Sequence, residues 1–186
     1  MFPIRDENPT HSIPWVTNFL LCVNLLIFGY ELSLSPEQLE LFFRTWGFVP
    51  AEVEIVSLPT TFSRLVFSMF LHGGVLHLIG NMLFLWVFGD NVEDELGSFS
   101  YFLFYLVCGA AAASGQYLMA PGSQIPMVGA SGAISGIMGA YFLLFPRTPV
   151  LTVVIIFIFI RMIYIPAWFF LGYWFLIQFL SGTISL

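Results

Sequence analysis

Apolar residues along this chain come in long runs, not in the short alternations of a water-soluble fold. The first run, Ile13 to Tyr30, follows a polar start and opens beside Pro14, a residue tolerated in a first helical turn. A second covers Leu65 to Phe88, and its early His72, Gly73, Gly74 and His77 predict a bend at its start. A third, Phe99 to Met119, carries small residues from Gly109 to Gly115 that suit close helix contact. A fourth, Gly129 to Phe145, has Gly132, Gly136 and Ala140 at every fourth position and stops at Pro146, Arg147 and Pro149. A fifth, Pro166 to Leu180, contains Trp168 and Trp174. Each run is of the order of the ~20 residues that a membrane-crossing helix needs.

Two stretches break this rhythm. Between Glu31 and Thr61, Leu39, Leu41, Phe42, Phe43, Trp46, Phe48 and Val49 are mixed with Glu37, Gln38, Glu40 and Arg44. That mixture predicts a segment lying at the membrane surface. Val150 to Ile160 is rich in β-branched residues and is followed by Arg161 and Pro166. It is expected not to form a full span of its own. A short span and a connection shielded by protein both fit it.

Composition turns the runs into a solvent argument. Hydrophobic residues make up 59% of the 186 and charged residues only 9%, against about 25% charge in a soluble domain. So few charges cannot cover a water-facing surface, so lipid must be the main solvent. The expectation is an all-α polytopic membrane bundle, a single domain over residues 1–186 with about five spanning helices and a long interfacial first connection. The net charge of −6 includes five Arg and no Lys, and the absence of a basic patch excludes nucleic acid as a partner. The acidic clusters Asp90, Glu93, Asp94, Glu95 and Glu37, Glu40, Glu52, Glu54 read as solvated loops flanking the spans. Cys22 and Cys108 sit inside apolar runs and read as small buried residues. Met1 to His11 lacks the basic start of a secretory signal, so the first run reads as a retained span. Arg5 and Arg147 on one side balance Arg44 and Arg64 on the other, so the positive-inside rule does not orient the chain.

Polar side chains within spans are expensive and point to function. Here they are His72, His77, Asn81 and Ser131. His77 and Asn81, four apart, share a helix face. They could equally satisfy neighbouring loops, and no HExxH pattern or nearby carboxylate supports zinc. Ser131, within Gly129-Ala130-Ser131-Gly132, stands at a loop-to-helix junction. The amides that follow it favour negative charge, an arrangement suited to a nucleophile with a backbone oxyanion donor. No charged residue lies deep in a span apart from Arg161, which argues against an ion path.

The run Phe70-Leu71-His72-Gly73-Gly74-Val75-Leu76-His77-Leu78-Ile79-Gly80-Asn81, then Phe88-Gly89, Val92-Glu93 and Gly129-Ala130-Ser131-Gly132, resembles the rhomboid family of intramembrane serine proteases. Pro166-Ala167-Trp168 and Leu171-Gly172 are also similar to bacterial rhomboids, and the resemblance covers about Ile13 to Gly182. It implies Ser131 as nucleophile, His77 and Asn81 as oxyanion helpers, and His72, Gly129 and Gly132 in supporting oxyanion or structural places. It implies single-span membrane proteins as substrates, a lipid bilayer as surroundings, and neither metal nor cofactor. Oligomeric state is left open. The few spans and short tail suggest a bacterial inner membrane.

Two departures from the family pattern matter. Rhomboids take the base of their Ser-His dyad from a sixth span, yet His11, His72 and His77 are the only histidines here and none follows Ser131. The expectation is a chain truncated before that span, inactive by itself, its Gly132, Gly136 and Ala140 face left without a helical partner. The alternative is a non-catalytic relative that binds membrane proteins, although Ser131 and its glycines remain. The Trp-Arg pair of some members' first connection is also missing, because Trp46 and Arg64 are too far apart in sequence to form it.

Overall fold

The computed structural model describes residues 1–156 and 158–184, the side chains of 156 and 179–184 excepted. Helix α1, Trp15–Glu31, begins after Pro14, which offers no side-chain cap. Its orphan first-turn amides are instead met from a distance. Glu93 accepts from Val16 N at 2.9 Å, from Thr17 N at 2.8 Å and from the Ser98 hydroxyl at 2.6 Å. Glu93 lies in the last turns of α4, Val75–Leu96, and Ser98 opens α5, Ser98–Met119. One carboxylate thus fastens the start of α1, the end of α4 and the start of α5, where helix N-termini favour negative charge. This corrects the solvated-loop reading of the acidic cluster: Glu93 is 1% exposed and helical.

The three helices touch closely at that level. A Cβ on Gly89 would come within 2.7 Å of the Tyr101 hydroxyl and 3.0 Å of Thr17 Cγ2. Thr17 Oγ1 in turn donates to Tyr101 Oη at 3.2 Å.

Helices α2, Pro36–Trp46, and α3, Leu58–Ser68, fill the first connection, with a 3₁₀ turn at Pro50–Glu52 between them. Ser35 caps α2 reciprocally with Gln38. None of its residues is buried within the protein, as a helix lying at the membrane surface requires. Arg64 Nε donates to the Thr45 carbonyl at 3.0 Å and its guanidinium pairs with Glu52. The fold therefore brings Arg64 beside the residue preceding Trp46, although sequence distance argued against it. The second apolar run is correspondingly split. Helix α3 ends at Ser68, residues 69–74 bend, and α4 restarts at Val75.

Helix α6, Ser131–Leu144, packs on α5 through its small residues. A Cβ on Gly132 would meet Ala112 Cβ at 2.5 Å, and one on Gly136 would meet Cys108 Sγ at 2.2 Å. The stripe that the sequence left without a partner is therefore covered by α5. On its other side α6 meets α4 and α7, Ala167–Ile184, through Phe88, Tyr141 and Phe170, with Phe88 and Tyr141 ring centroids 4.9 Å apart.

The helical bundle expected from the runs is present, and α4 and α5 are long and apolar enough to cross a membrane. A sheet, which the all-α class does not contain, is present as well. Strands β1, Phe2–Asp6, β2, Pro149–Ile156, and β3, Phe159–Pro166, form an antiparallel sheet in the order β1-β2-β3. Val150 to Ile160 is thus no independent span, as expected. Its β-branched residues suit a strand, and a hairpin pairs its backbone without a helix.

The Tyr141 hydroxyl donates to Asp6, tying β1 to the end of α6. Burial pushes the Asp6 carboxyl up to about 6, against the lowering by that hydrogen bond.

Gly89→Ala is expected to overpack the α1/α4/α5 contact and destabilise by about 1–3 kcal/mol. Gly115→Ala, where an added Cβ meets nothing within 4 Å, is expected to be neutral or stabilising by up to about 1 kcal/mol. Unfolding of both variants in mild detergent measures the contrast. For Asp6, a raised carboxyl favours the fold fully below its ordinary value of 3.8, and that contribution is lost as pH rises through about 6. Between about pH 4 and about pH 7, wild-type Tm is therefore expected to fall relative to Asp6→Asn, which keeps the acceptor without the charge.

Candidate active site

Four elements converge on Ser131. It is the first residue of α6, so the amides of that first turn have no intrahelical acceptor. The chain reaches it through Gly129, whose φ of +124° is a conformation that L side chains rarely adopt. The Gly129 amide donates to the Ser68 carbonyl at 2.9 Å, and Met127 and Phe48 exchange backbone hydrogen bonds at 2.8 and 3.3 Å. The first connection and the end of α3 therefore brace the loop before Ser131 from two sides. Gly47 lets this happen, since a Cβ there would press to 2.5 Å from the Phe43 carbonyl and 3.2 Å from that of Met127.

On α4, His77 and Asn81 project toward the same loop. A Cβ added to Gly129 would lie 2.6 Å from His77 Cε1, 2.7 Å from Nε2 and 3.7 Å from Asn81 Nδ2. Asn81 is buried, and its Nδ2 has no acceptor among the described residues. His77, Asn81 and Ser131 line one cavity of about 250 Å³, together with Gly80, Phe84, Trp174 and Gln178. Such a pocket is apolar-walled with a few converging polar groups, the usual form of a binding site.

His72 stands apart in its bonding. Its backbone N–H donates to both oxygens of the buried Glu31, at 3.2 and 3.3 Å. The residue is 1% exposed, its two ring nitrogens have no hydrogen-bond partner among the described residues, and its ring centroid is 5.2 Å from that of His77. Gly132 faces away from the cavity polar groups and toward Ala112 on α5. Among the described residues no three His, Cys, Asp or Glu side chains form a metal-holding group.

The family model of the Rhomboid domain matches residues 59–186. The chain belongs to the rhomboid family. As a rhomboid it is a membrane protein, and its relatives include named proteases. It is 40% identical over 77 residues to "Rhomboid protease GluP" of Bacillus subtilis, covering 41% of this chain and 15% of that protein. It is 36% identical over 78 residues to "Putative rhomboid protease YdcA" of the same organism, covering 42% and 39%. "RHOMBOID-like protein 6, mitochondrial" of Arabidopsis thaliana is 41% identical over 78 residues, covering 41% and 24%. The matched stretches are therefore less than half of each relative.

The rhomboid motifs account for His72, His77, Asn81 and Ser131, but not for the walls around them. Phe84 follows His77 and Asn81 on one helical stripe, and Trp174 and Gln178 are four apart on α7. Helical spacing from Asn81 could have found the first. The second pair needed the placement of α7. Glu31, at the far end of α1, left no signal toward His72 in the sequence.

Gly129→Ala is expected to displace His77 or the Ser131 loop and to destabilise by about 1–3 kcal/mol, from overpacking and from the strained φ. Thermal unfolding beside Gly74→Ala, where nothing lies within 4 Å, checks it. Equal losses at both positions would contradict the crowding argument.

Proposed function

We propose that this chain forms most of the catalytic core of an intramembrane serine endopeptidase, cutting single-span membrane proteins at or near the bilayer. The reading is carried by one observation, the shared cavity of Ser131, His77 and Asn81. Ser131 Oγ attacks the scissile carbonyl carbon, and a C–O bond forms while the carbonyl electrons move onto oxygen. That oxyanion is held by the His77 ring N–H, the Asn81 amide and a first-turn amide of α6. The unpartnered Asn81 Nδ2 is a donor waiting for such an acceptor. His72 is a wall beneath His77 and keeps its orientation.

The Ser131 proton goes to a base, which then returns it to the leaving amine. All three histidines precede Ser131, and in this reading His77 and His72 serve the oxyanion and the cavity wall and not the hydroxyl. We assign the base to a histidine outside residues 1–186. The host membrane in this reading is a bacterial plasma membrane, in line with the two Bacillus relatives.

A labelled single-span substrate in liposomes provides the test. The 186-residue chain is expected to cleave it on the order of 10⁴-fold more slowly than the same chain continued by a span bearing an Ala-His motif. Ser131→Ala should abolish cleavage by the longer form. Equal cleavage by both lengths would overturn the assignment of the base. Cleavage that survives Ser131→Ala would overturn the nucleophile, and binding without cleavage by the longer form would favour a non-catalytic membrane-protein binder.

A further inference from the structure

The β2–β3 hairpin outgrows its sheet. β1 pairs with β2 only as far as Phe2 opposite Val153. Beyond that, Val154 pairs with Arg161 and Ile155 with Ile160 in a ribbon of two strands. From Val153 to Ile160 the sequence holds no polar residue. The described side chains near the tip are open: Ile158 is 86% exposed, Ile160 and Met162 67% each, and Phe159 63%. Paired residues share a face, so Ile155, Ile160 and Met162 lie on one side and Phe159 and Ile163 on the other.

We propose that this hairpin is a second membrane contact, its tip inserted into the headgroup–acyl boundary of the bilayer that the helices cross, with Arg161 held by anionic lipid phosphates. A strand pair exposed to water on one face alternates apolar and polar residues. Beyond β1 this one is apolar on both faces except for Arg161, which shares the face of Phe159 and Ile163, so both faces need largely apolar surroundings. A two-stranded ribbon is also marginal by itself in water. The bilayer is at hand: α7 starts at Ala167, directly after β3, and its first exposed residues are Trp168 and Phe169. The hairpin therefore continues directly into the exposed aromatic start of an apolar helix.

Depth is limited by the backbone. The outer edge of β3 has unpaired amides and carbonyls, which cost several kcal/mol each in hydrocarbon. Interfacial segments sit about 5–10 Å into the boundary, where water and headgroups still reach those atoms. The two-stranded part, three paired residues a side, spans about 10 Å and fits that layer. Arg161 is exposed and has no ion pair among the described residues. At this level of the hairpin a guanidinium can reach back to phosphate while its stem stays among the acyl chains.

The test uses the whole chain with Cys22→Ser and Cys108→Ala, reconstituted in phosphatidylcholine vesicles with and without phosphatidylglycerol. Single nitroxides are placed through Ile158→Cys, through Leu143→Cys on the exposed side of α6, and through His11→Cys in the polar N-terminal segment. Collision with oxygen and with a water-soluble nickel chelate is measured. Position 158 is expected to match 143, with oxygen collisions severalfold above nickel, and 11 to show the reverse. Phosphatidylglycerol should deepen the 158 signal, and Arg161→Gln should abolish that dependence while Arg161→Lys keeps it. Nickel access at 158 equal to that at 11 would overturn the proposal. So would spin–spin broadening at 158 that disappears on dilution with unlabelled chain, because the hairpin would then be meeting a second copy. A signal indifferent to phosphatidylglycerol would overturn the role of Arg161.

Discussion

A buried carboxylate with no cationic partner among the described residues organises the bundle. Glu93 takes two amides from the start of α1 and a hydroxyl from the start of α5. Burying a carboxylate is costly unless its oxygens are satisfied, and among the described residues the donors to the Glu93 carboxylate are at those two helix starts. The side chain therefore fixes where α1 and α5 begin relative to α4. Gly89, one turn before Glu93, lets Thr17 and Tyr101 close in at the same level. The helix that carries His77 and Asn81 is thereby held at the end opposite the cavity.

The cavity end is governed by backbone contacts. Ser68 and Phe48 hold the loop of Met127 and Gly129 through main-chain hydrogen bonds, and glycines at 47 and 129 remove the side chains that would keep these strands of backbone apart. A buried polar group beside the loop can then stay unpaired, as Asn81 Nδ2 does among the described residues. An unsatisfied buried donor destabilises a resting protein by about 1–3 kcal/mol, so a stiff frame is what allows it to persist.

The polar constellation was legible in the sequence for a simple reason. His77 and Asn81 stand out against apolar neighbours, helical spacing puts them on one face, and the glycines around Ser131 announce a turn into a helix. The first, third, fourth and fifth runs also placed their helices to within a few residues, while the second ran across the bend between α3 and α4. Glu93 was not legible, because among Asp90, Asp94 and Glu95 it looks like one more solvated charge, and only the three-dimensional approach of α1 buries it. The sheet was hidden because a run of Val and Ile fits a buried helix segment as well as a strand. The stripe of Gly132 and Gly136 showed that a close contact exists without naming its partner, which is α5. Arg64 reached the neighbourhood of Trp46 because the interfacial connection folds back on α3.

The fastening of α1 also has a consequence for biosynthesis. Its first-turn amides wait for a carboxylate 76 and 77 residues further along the chain. At about 5–20 residues per second, that partner is made roughly 4–15 s after the amides themselves. In that interval the leading turn of α1 lacks the acceptor that holds it in the fold. Only once the corner between α4 and α5 has been made can the start of α1 take its final place against them.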